Sequence, residues 1–254
     1  MSGAPAPGAC GVVELRRYRL HPGRRDDLVA LFERELVEPQ EAVGMRPIGQ
    51  FTDVDEPDQF VWLRGLADME TRDRGLRAFY GGPAWGEHRD AANATMIDSD
   101  DVLLLRPAWP GSAFAAVGTD RPPVGSRRDG GAVLATTCLL REPAAPELPA
   151  ALSGELEPAI LAAGGEPLAV LVTEPAPNSF TALPIREGEH AVVWIAGFES
   201  LEALDRGRAS LGQGGVPAAL AAALREPAHH ARLSPTPRSL TRGLTPAWSR
   251  RRRR

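Results

Sequence analysis

The stretch VWLRGL at residues 61–66 recurs with little change as VWIAGF at residues 193–198. Both stretches are rich in apolar, aromatic and β-branched residues, which is typical of buried β-strands. Each is followed by an acidic residue and then by apolar residues at helical spacing. A strand that repeats together with the segment after it predicts that one structural unit occurs twice in the chain.

The sequence around VWLRGL predicts the order β-α-β-β-α-β for the first unit. The predicted elements are, in order, a strand at 12–20, a helix through Leu28 and Leu36, strands at 47–54 and 60–66, a helix from Asp68 to Ala92 that is interrupted at 81–83, and a strand at 102–105. The turn between the second and third strands is short and contains Pro57, so these strands are expected to form a hairpin. This order is the ferredoxin-like split βαβ arrangement.

The same order is predicted again from residue 132 onward. The elements are a strand at 132–140, a helix at 148–160, strands at 168–172 and 191–198, helical spacing through Leu201 and Leu224, and a final strand at 238–243. The first strands of the two units are 120 residues apart, whereas the two VW stretches are 132 apart. The difference predicts a longer hairpin loop in the second unit, around residues 174–189.

A single unit of this kind covers one face of its sheet with helices and leaves the other face apolar. Two units can pair these faces. We therefore expect an α+β fold, in which two tandem ferredoxin-like βαββαβ units form a dimeric α/β-barrel within one chain. The predicted divisions are a disordered leader at 1–11, the first unit at 12–108, a Gly- and Pro-rich linker at 109–131, a second, diverged unit at 132–243 and an Arg-rich disordered tail at 244–254.

The charge of the chain excludes several classes of function. It has 254 residues and a formal net charge of −4, and it contains no lysine. Without lysine, neither a Schiff-base nor a Walker-type mechanism is available. Five of the arginines lie at 250–254, so the remainder of the chain is more acidic still, which argues against a broad nucleic-acid surface.

Cysteine content and hydropathy bear on the compartment. Two cysteines, Cys10 and Cys138, are too few for a disulfide framework or a thiolate metal site. The sequence shows neither a signal peptide nor an apolar window of 18 residues. We therefore expect a cytoplasmic protein that binds a small molecule rather than a membrane or nucleic acid, as a monomeric pseudo-dimer or a homodimer.

The first unit resembles the NIPSNAP family. The similar stretches are ELRRYRLHPGRRDDLVALFE at 14–33, FVWLRGLADMETRDRGLRAFYGGPAW at 60–85 and HRDAANATM at 88–96. The positions that match the family's motifs are Glu14, Arg16, Tyr18, Pro22, Gly23, Phe60, Trp62, Arg64, Gly65, Tyr80, Trp85 and Asn93. The resemblance implies the dimeric α/β-barrel superfamily, which includes cofactor-free monooxygenases, lactone isomerases, polyketide cyclases and haem-dependent peroxidases. It implies no reaction common to NIPSNAP proteins themselves.

Polar residues cluster on one face of the first unit's sheet and are missing from the second unit. Glu14, Arg16 and Tyr18 alternate along one strand and so share a face, and Trp62 and Arg64 share a face of another strand. The counterparts in the second unit are Leu134, Thr136, Cys138, Trp194 and Ala196. Groups that only stabilised the fold would be expected in both units. The difference therefore predicts one polar small-molecule pocket, in the first unit.

We expect this pocket to lie between the sheet and the second helix of the first unit. Arg16 and Arg64 are candidates for holding the anionic oxygen of a carboxylate, enolate or phosphate. The catalytic candidates are His88, which can move a proton near neutral pH, and Tyr18, which can donate to a developing oxyanion. The predicted substrate-binding residues are Glu14, Arg16, Trp62, Arg64, Tyr80, Trp85 and Asn93.

The same residues also allow a purely structural interpretation. Glu14 and Arg16 can pair with neighbouring charges across the sheet. His88 can belong to a solvated helix face, while Tyr80 and Trp85 can belong to the core. Two functions therefore stay open. One is a cofactor-independent enzyme of the oxygenase, isomerase or cyclase type that acts on an anionic or aromatic metabolite; the other is a non-catalytic ligand-binding or protein-interaction module.

The histidines indicate no metal site and no cofactor. His229 and His230 are adjacent and so point apart, and the other histidines are isolated in the sequence. Haem bound through His88 is suggested by the resemblance to the superfamily alone, because no spacing in the sequence supports it. We therefore expect neither a metal nor a cofactor.

Overall fold

The computed structural model describes residues 10–114, 120–127, 131–210 and 216–244. The predicted leader and tail lie outside the described residues, apart from Cys10, Gly11 and Leu244. The first unit consists of β1 (Val12–Leu20), α1 (Arg25–Leu31), a π-helical turn (Phe32–Leu36), α2 (Val37–Ala42), β2 (Arg46–Asp53), β3 (Gln59–Leu66), α3 (Met69–Tyr80), α4 (Pro83–Asn93) and β4 (Met96–Pro107). The second consists of β5 (Ala132–Leu140), α5 (Leu148–Ala162), β6 (Glu166–Thr173), β7 (His190–Phe198), α6 (Leu201–Ser210), α7 (Ala218–Ala221) and β8 (His229–Pro235).

The eight strands form one closed antiparallel barrel in the order β1-β3-β2-β8-β5-β7-β6-β4. The two units join where β2 pairs with β8 and where β4 pairs with β6. Closure gives each of these strands two neighbours, so the sheet presents no open edge. The predicted fold class is confirmed: the chain is an α+β protein in which two tandem ferredoxin-like units form a barrel within one molecule.

The strands of the two units pair in equivalent registers. Arg16 lies opposite Trp62 in the β1–β3 pair, and Thr136 lies opposite Trp194 in the β5–β7 pair. The repeat of the VW stretch aligns the two tryptophans, and the 120-residue offset of the first strands aligns Arg16 with Thr136. The equivalence is consistent with a tandem duplication, and it allows the two units to be compared position by position.

The barrel interior is a packed apolar core. Side chains alternate along each strand, so Val13 and Leu15 point into the barrel while Glu14 and Arg16 point toward the helices. Further residues that fill the interior include Val61, Leu63, Leu103, Val133, Val193 and Leu233. Because side chains fill the interior, we expect a ligand cavity on the helix-covered faces of the sheet.

The helices pack on the outer faces of the barrel, with α1–α4 over the first unit and α5–α7 over the second. The predicted interruption of the second helix is present, since α3 ends at Tyr80 and α4 begins at Pro83, a residue that favours the first helical turn. None of the described helices has both the length and the apolar character that a membrane-crossing segment requires.

The last strand lies earlier in the chain than the sequence pattern predicts. β8 spans His229–Pro235, and the predicted strand at 238–243 is wrong. In that segment Ser239 Oγ donates to the Thr241 carbonyl oxygen at 2.7 Å and Gly243 has a φ of 74°, so the chain turns instead of extending. β8 was not recognised because, of its residues, only Ala231 and Leu233 join the apolar interior.

Segments outside these elements are also held against the barrel. The Gly11 N–H donates to the Leu66 carbonyl oxygen at 2.9 Å, which extends the β1–β3 pairing into the predicted leader. In the predicted linker, Arg121 Nη1 donates to the Arg238 carbonyl oxygen at 2.6 Å. Residues 112–114 of the predicted linker are also buried, whereas residues 123–125 are exposed.

Candidate functional site

Four charged side chains are fully buried between the sheet of the first unit and its helices; we call Glu14, Arg16, Arg64 and Arg72 the Glu14 cluster. Glu14 Oε2 accepts hydrogen bonds from Arg16 Nη1 and Arg64 Nε, each at 2.9 Å. Glu14 Oε1 accepts from Arg72 Nε at 2.7 Å. Arg64 Nη1 donates further to Gln40 Oε1 at 3.3 Å. One carboxylate thus holds three guanidinium groups in place.

Local structure explains how each member reaches the cluster. Glu14 and Arg64 lie opposite each other in the β1–β3 register, and Arg16 follows two residues later on the same face of β1. Arg72 lies in the first turn of α3, which begins at the N-cap residue Asp68. The Asp68 side chain accepts a backbone N–H of that turn at 2.7 Å, which fixes the start of the helix above the sheet.

The Glu14 cluster carries an excess of positive charge. Burial by itself would raise the pKa of Glu14, but Arg64, Arg16 and Arg72 outweigh burial and hold that pKa well below its ordinary value of 4.5. Within the described part of the chain, the three arginines share this one ionised carboxylate. Arg16 Nη2 and Arg72 Nη2 are buried and have no hydrogen-bond partner among the described residues. Such a cluster favours a nearby anionic group.

Tyr18 connects the Glu14 cluster to a cavity. Arg16 Nε donates to the Tyr18 hydroxyl oxygen at 3.0 Å, and the Arg16 guanidinium carbon lies 5.5 Å from the ring centroids of Tyr18 and Trp62. Burial raises the pKa of Tyr18 above its ordinary value, although Arg16 opposes the rise. The phenol therefore keeps its proton at neutral pH and can donate it in a hydrogen bond while its oxygen accepts from Arg16.

The cavity has a volume of about 310 Å³, within the lower range of small-molecule sites. Its lining residues are Tyr18, Tyr80, Trp85, Asn93, Met96, Ser99, Phe180, Ala182 and Leu183. Tyr80 and Trp85 meet edge to face, with ring centroids 5.0 Å apart. The walls are therefore mostly aromatic and apolar, and the lining residues that carry polar groups are Tyr18, Tyr80, Ser99 and Asn93.

The loop that completes the cavity comes from the second unit. It joins β6 to β7 over residues 174–189, and we call it the strap. Phe180 of the strap stacks on Tyr80, with centroids 5.9 Å apart and planes inclined at 19°. Arg72 Nη1 donates to Asn178 Oδ1 at 2.9 Å and to Ser179 Oγ at 3.1 Å. The strap thus forms one wall of the cavity and is bonded to the Glu14 cluster beneath it.

A larger depression of about 440 Å³ lies along the other side of the strap. Its lining includes Arg186, which is paired with Glu189 at 2.8 Å and with Asp101 at 3.4 Å. Glu174 and Glu187 also line it, so its positive charge is balanced by carboxylates. We regard the smaller cavity as the candidate site because it adjoins the unbalanced cluster and contains residues that the sequence singles out.

The structure divides the predicted site residues into three groups. Tyr18, Tyr80, Trp85 and Asn93 line the cavity. Glu14, Arg16, Trp62 and Arg64 are buried next to it, beneath the cavity lining. His88 belongs to neither group: its Nε2 lies 3.5 Å from Glu35 Oε2 of the π-helical turn, and it is not among the lining residues.

Sequence reasoning missed Arg72, Gln40 and Phe180. Extending the alignment of the two VW stretches into the following helix sets Arg72 against Leu204, and both are fully buried. The sequence therefore shows the contrast between the polar first unit and the apolar second unit at this position too. No such signal marks Phe180, because its place depends on where the strap crosses the other unit.

The second unit fills the equivalent positions with apolar core. The residues aligned with Glu14, Arg16, Gln40, Arg64 and Arg72 are Leu134, Thr136, Ile160, Ala196 and Leu204, and all of them are buried. All except Thr136 belong to one apolar cluster together with Trp194. Burial raises the pKa of Cys138, the counterpart of Tyr18, to about 12, which keeps that thiol protonated. The polar arrangement is thus specific to the first unit.

Among the described residues, no three His, Cys, Asp or Glu side chains are grouped so that they could hold a metal ion. His88, the residue that the resemblance suggested for haem, contacts Glu35 and does not line the cavity. The residues present therefore do not fit a haem held through His88.

Solved structures show the same fold over nearly the whole chain. A provisionally named monooxygenase from Fusobacterium nucleatum has a TM-score of 0.60 at 10% identity, and the match covers 93% of this chain and 97% of that one. A provisionally named monooxygenase from Lactobacillus acidophilus has a TM-score of 0.54 at 10% identity, with 89% and 94% covered. At this identity the likeness concerns the fold.

Sequence similarity is concentrated in the first unit. No curated protein is significantly similar to the chain in sequence. An uncharacterized NIPSNAP-like domain protein from Burkholderia xenovorans is 30% identical over 44% of this chain and 92% of its own, with a TM-score of 0.35. The model of the NIPSNAP family matches residues 13–109, the unit that holds the Glu14 cluster. By these matches the chain belongs to the NIPSNAP family.

Proposed function

We propose that the cavity of the first unit binds a small aromatic metabolite through an anionic oxygen. The observation that carries this proposal is Tyr18, a cavity-lining phenol whose oxygen is held by Arg16 at 3.0 Å and whose proton is retained. An anionic oxygen at Tyr18 would accept that proton in a hydrogen bond. It would also reduce the excess positive charge of the Glu14 cluster, in surroundings where charges interact strongly.

The other walls favour a planar ligand. Tyr80, Trp85 and Phe180 present ring surfaces to the cavity. Aromatic rings pack well against such walls in offset or edge-to-face arrangements. Asn93 and Ser99 add polar groups that can orient a ligand substituent. The lining therefore supports a ligand with one ring, or two fused rings, that carries a carboxylate, enolate or phenolate oxygen.

As an enzyme, the protein would be a cofactor-independent oxygenase, isomerase or cyclase. These reactions share an enolate or phenolate whose oxygen bears negative charge, and donors placed at that oxygen lower the barrier to forming it. Tyr18, supported by Arg16, would supply this stabilisation. Two structures of the same fold are provisionally named monooxygenases, which supports this class as a proposal for the present chain.

A specific observation favours the alternative, a non-catalytic ligand-binding protein. The described lining of the cavity contains no carboxylate and no histidine, so it offers no side chain that commonly acts as a general base. An ionised ligand could be bound there without any proton being removed from it. The lining therefore supports binding, and turnover needs a separate test.

The binding test removes the Tyr18 hydroxyl, which contacts Arg16 and belongs to a cavity-lining residue. The full-length protein is incubated with a metabolite extract, and the bound compounds are identified by mass spectrometry. Tyr18→Phe removes the hydroxyl that contacts Arg16, so we expect about tenfold or greater loss of affinity, as for a hydrogen bond to a charged group. Leu161→Ala, which alters an exposed side chain that does not line the cavity, is the control and should leave the affinity unchanged.

Two outcomes would contradict the proposal. If the wild-type protein enriches no aromatic anion, the proposed ligand class is wrong. If Tyr18→Phe and the wild-type protein bind the same compound equally well, Tyr18 is not the anion donor. Incubating the enriched compound with the protein in air, and following its conversion, then distinguishes an enzyme from a binding protein.

A further inference from the structure

We propose that residues 178–183 of the strap, which belong to the second unit, determine which ligands the first unit's cavity accepts. Phe180 would set the size limit of the cavity, and Asn178 would be the positioning residue that holds Phe180 in place. This inference rests on the proposed ligand-binding function. It assigns the second unit a direct part in a site whose other lining residues come from the first unit.

Asn178 organises the tip of the strap through all its polar atoms. Its Oδ1 accepts from Arg72 Nη1 at 2.9 Å and from the Phe180 N–H at 3.1 Å, and its Nδ2 donates to the Leu183 carbonyl oxygen at 3.0 Å. The Leu183 N–H in turn donates to the Phe180 carbonyl oxygen at 3.1 Å. Both Phe180 and Leu183 line the cavity, so one side chain anchors this wall to the Glu14 cluster.

Phe180 is held as a rigid wall by the first unit. Its ring stacks on Tyr80, and the Arg77 guanidinium carbon lies 5.7 Å from the ring centroid. Tyr80 is itself packed edge to face against Trp85 and Phe79, at 5.0 Å and 5.2 Å. A ligand too large for the cavity would therefore have to displace Phe180 from several contacts rather than push aside a free side chain.

The two units differ in the length of this loop. Five residues, 54–58, separate β2 from β3 in the first unit, whereas sixteen residues, 174–189, separate β6 from β7 in the second. The long loop crosses onto the unit with the cavity and the Glu14 cluster. The helix-covered face of the second unit is packed with apolar residues such as Leu134 and Leu204. The strap thus lies over the face that contains the candidate cavity.

The test uses isothermal titration calorimetry with benzoate, 1-naphthoate and 9-anthroate, three carboxylates of increasing ring number. The wild-type protein should bind the one- or two-ring acid and reject the three-ring acid. Phe180→Ala should raise the ratio of 9-anthroate to benzoate affinity at least tenfold, because it removes one aromatic wall. Leu161→Ala, which alters an exposed apolar side chain that does not line the cavity, should leave the ratio unchanged.

Asn178 is tested with two variants. Asn178→Ala removes the anchor and should raise the same affinity ratio as Phe180→Ala does. Asn178→Asp keeps the acceptor for Arg72 and Phe180 but loses the donor to the Leu183 carbonyl oxygen, so its ratio should lie between those of the wild-type protein and Asn178→Ala. If Asn178 had a merely structural role, its substitution would lower the melting temperature and leave the affinity ratio unchanged. The ratio of two affinities does not depend on the fraction of folded protein.

The outcomes separate this inference from the proposed function. If the wild-type protein binds a probe and Phe180→Ala shows the same size preference, the strap does not determine specificity and the cavity proposal stands. If Phe180→Ala binds a probe that the wild-type protein rejects, the inference is supported. If neither protein binds any probe, the proposed ligand class fails and the inference fails with it.

Discussion

Glu14 and Arg64 lie directly opposite each other on β1 and β3, with Arg64 Nε 2.9 Å from Glu14 Oε2 and both side chains fully buried. In the second unit the same register places Leu134 opposite Ala196. One fold thus carries an ionic arrangement in one half and an apolar arrangement in the other. Substitutions that replace the ionic residues by their apolar counterparts can therefore measure how much the Glu14 cluster contributes to stability.

Removing the shared carboxylate should strongly destabilise the protein. Glu14→Gln leaves three buried guanidinium groups without their common counter-ion, so we expect the free energy of unfolding to fall by about 3–5 kcal/mol. Chemical denaturation measures the change. Glu87→Gln, at an exposed position on α4, is the control and should stay within about 0.5 kcal/mol of wild type. A loss below about 1 kcal/mol for Glu14→Gln would show that the cluster is not electrostatically important to folding.

Replacing the whole cluster by its apolar counterparts should be less harmful than removing its carboxylate alone. The variant Glu14→Leu, Arg16→Thr, Arg64→Ala, Arg72→Leu introduces the residues found at these positions in the second unit. Exchanging buried ions for apolar groups is often neutral or stabilising, because no charge is left uncompensated. We expect this variant to unfold at a higher denaturant concentration than Glu14→Gln and to lose affinity for anions. The reverse order of stability would contradict the argument.

The contribution of Glu14 should depend on pH below its ordinary pKa of 4.5. The arginines lower the folded-state pKa, so the unfolded chain binds the proton more readily. The stabilisation is therefore complete above pH 4.5 and is lost as the pH falls toward the folded-state pKa. We expect the difference in unfolding free energy between wild type and Glu14→Gln to shrink as the pH is lowered from 5. A constant difference over this range would show that Glu14 is not ionised in the folded protein.

Both cysteines should be unreactive in the folded protein. Cys10 and Cys138 are free and buried, and burial raises the pKa of each thiol, to about 12 for Cys138. The reactive thiolate is therefore scarce and inaccessible at pH 8. Titration with a disulfide reagent should detect no fast-reacting thiol in native protein and two after denaturation. A thiol that reacts at the rate of a free cysteine before unfolding would contradict the described burial.

Two neighbours on α4 should differ in their effect on ligand binding. Trp85 lines the cavity, whereas His88 contacts Glu35 outside it. We expect Trp85→Ala to weaken binding of the captured ligand about tenfold, since it removes an aromatic wall. His88→Ala should change the affinity by less than twofold. Direct titration of each variant measures the effects, and a larger effect at His88 would restore it as a candidate catalytic residue.

Strand alternation predicted that Arg16 and Tyr18 share a face of β1, and the resemblance to the NIPSNAP family added Tyr80, Trp85 and Asn93. Tyr18, Tyr80, Trp85 and Asn93 do meet at one cavity, and Arg16 and Arg64 do converge beside it. His88 also lies on α4, but its side chain faces Glu35. The direction of that side chain depends on how α4 packs on the π-helical turn. Helical spacing reports which residues share a face but not what that face contacts.

The sequence by itself determined the order of elements, the pairing of two units in one barrel, and the confinement of polar residues to the first unit. These properties follow from local periodicity and from comparison of the repeats. Only the tertiary structure decided that Arg72 completes the Glu14 cluster and that Phe180 of the other unit, held by Asn178, lines the cavity. The reason is physical: Arg72 lies 58 positions from Glu14 and 106 positions from Asn178 in the sequence, and the path of a long loop is set by the surface on which it packs.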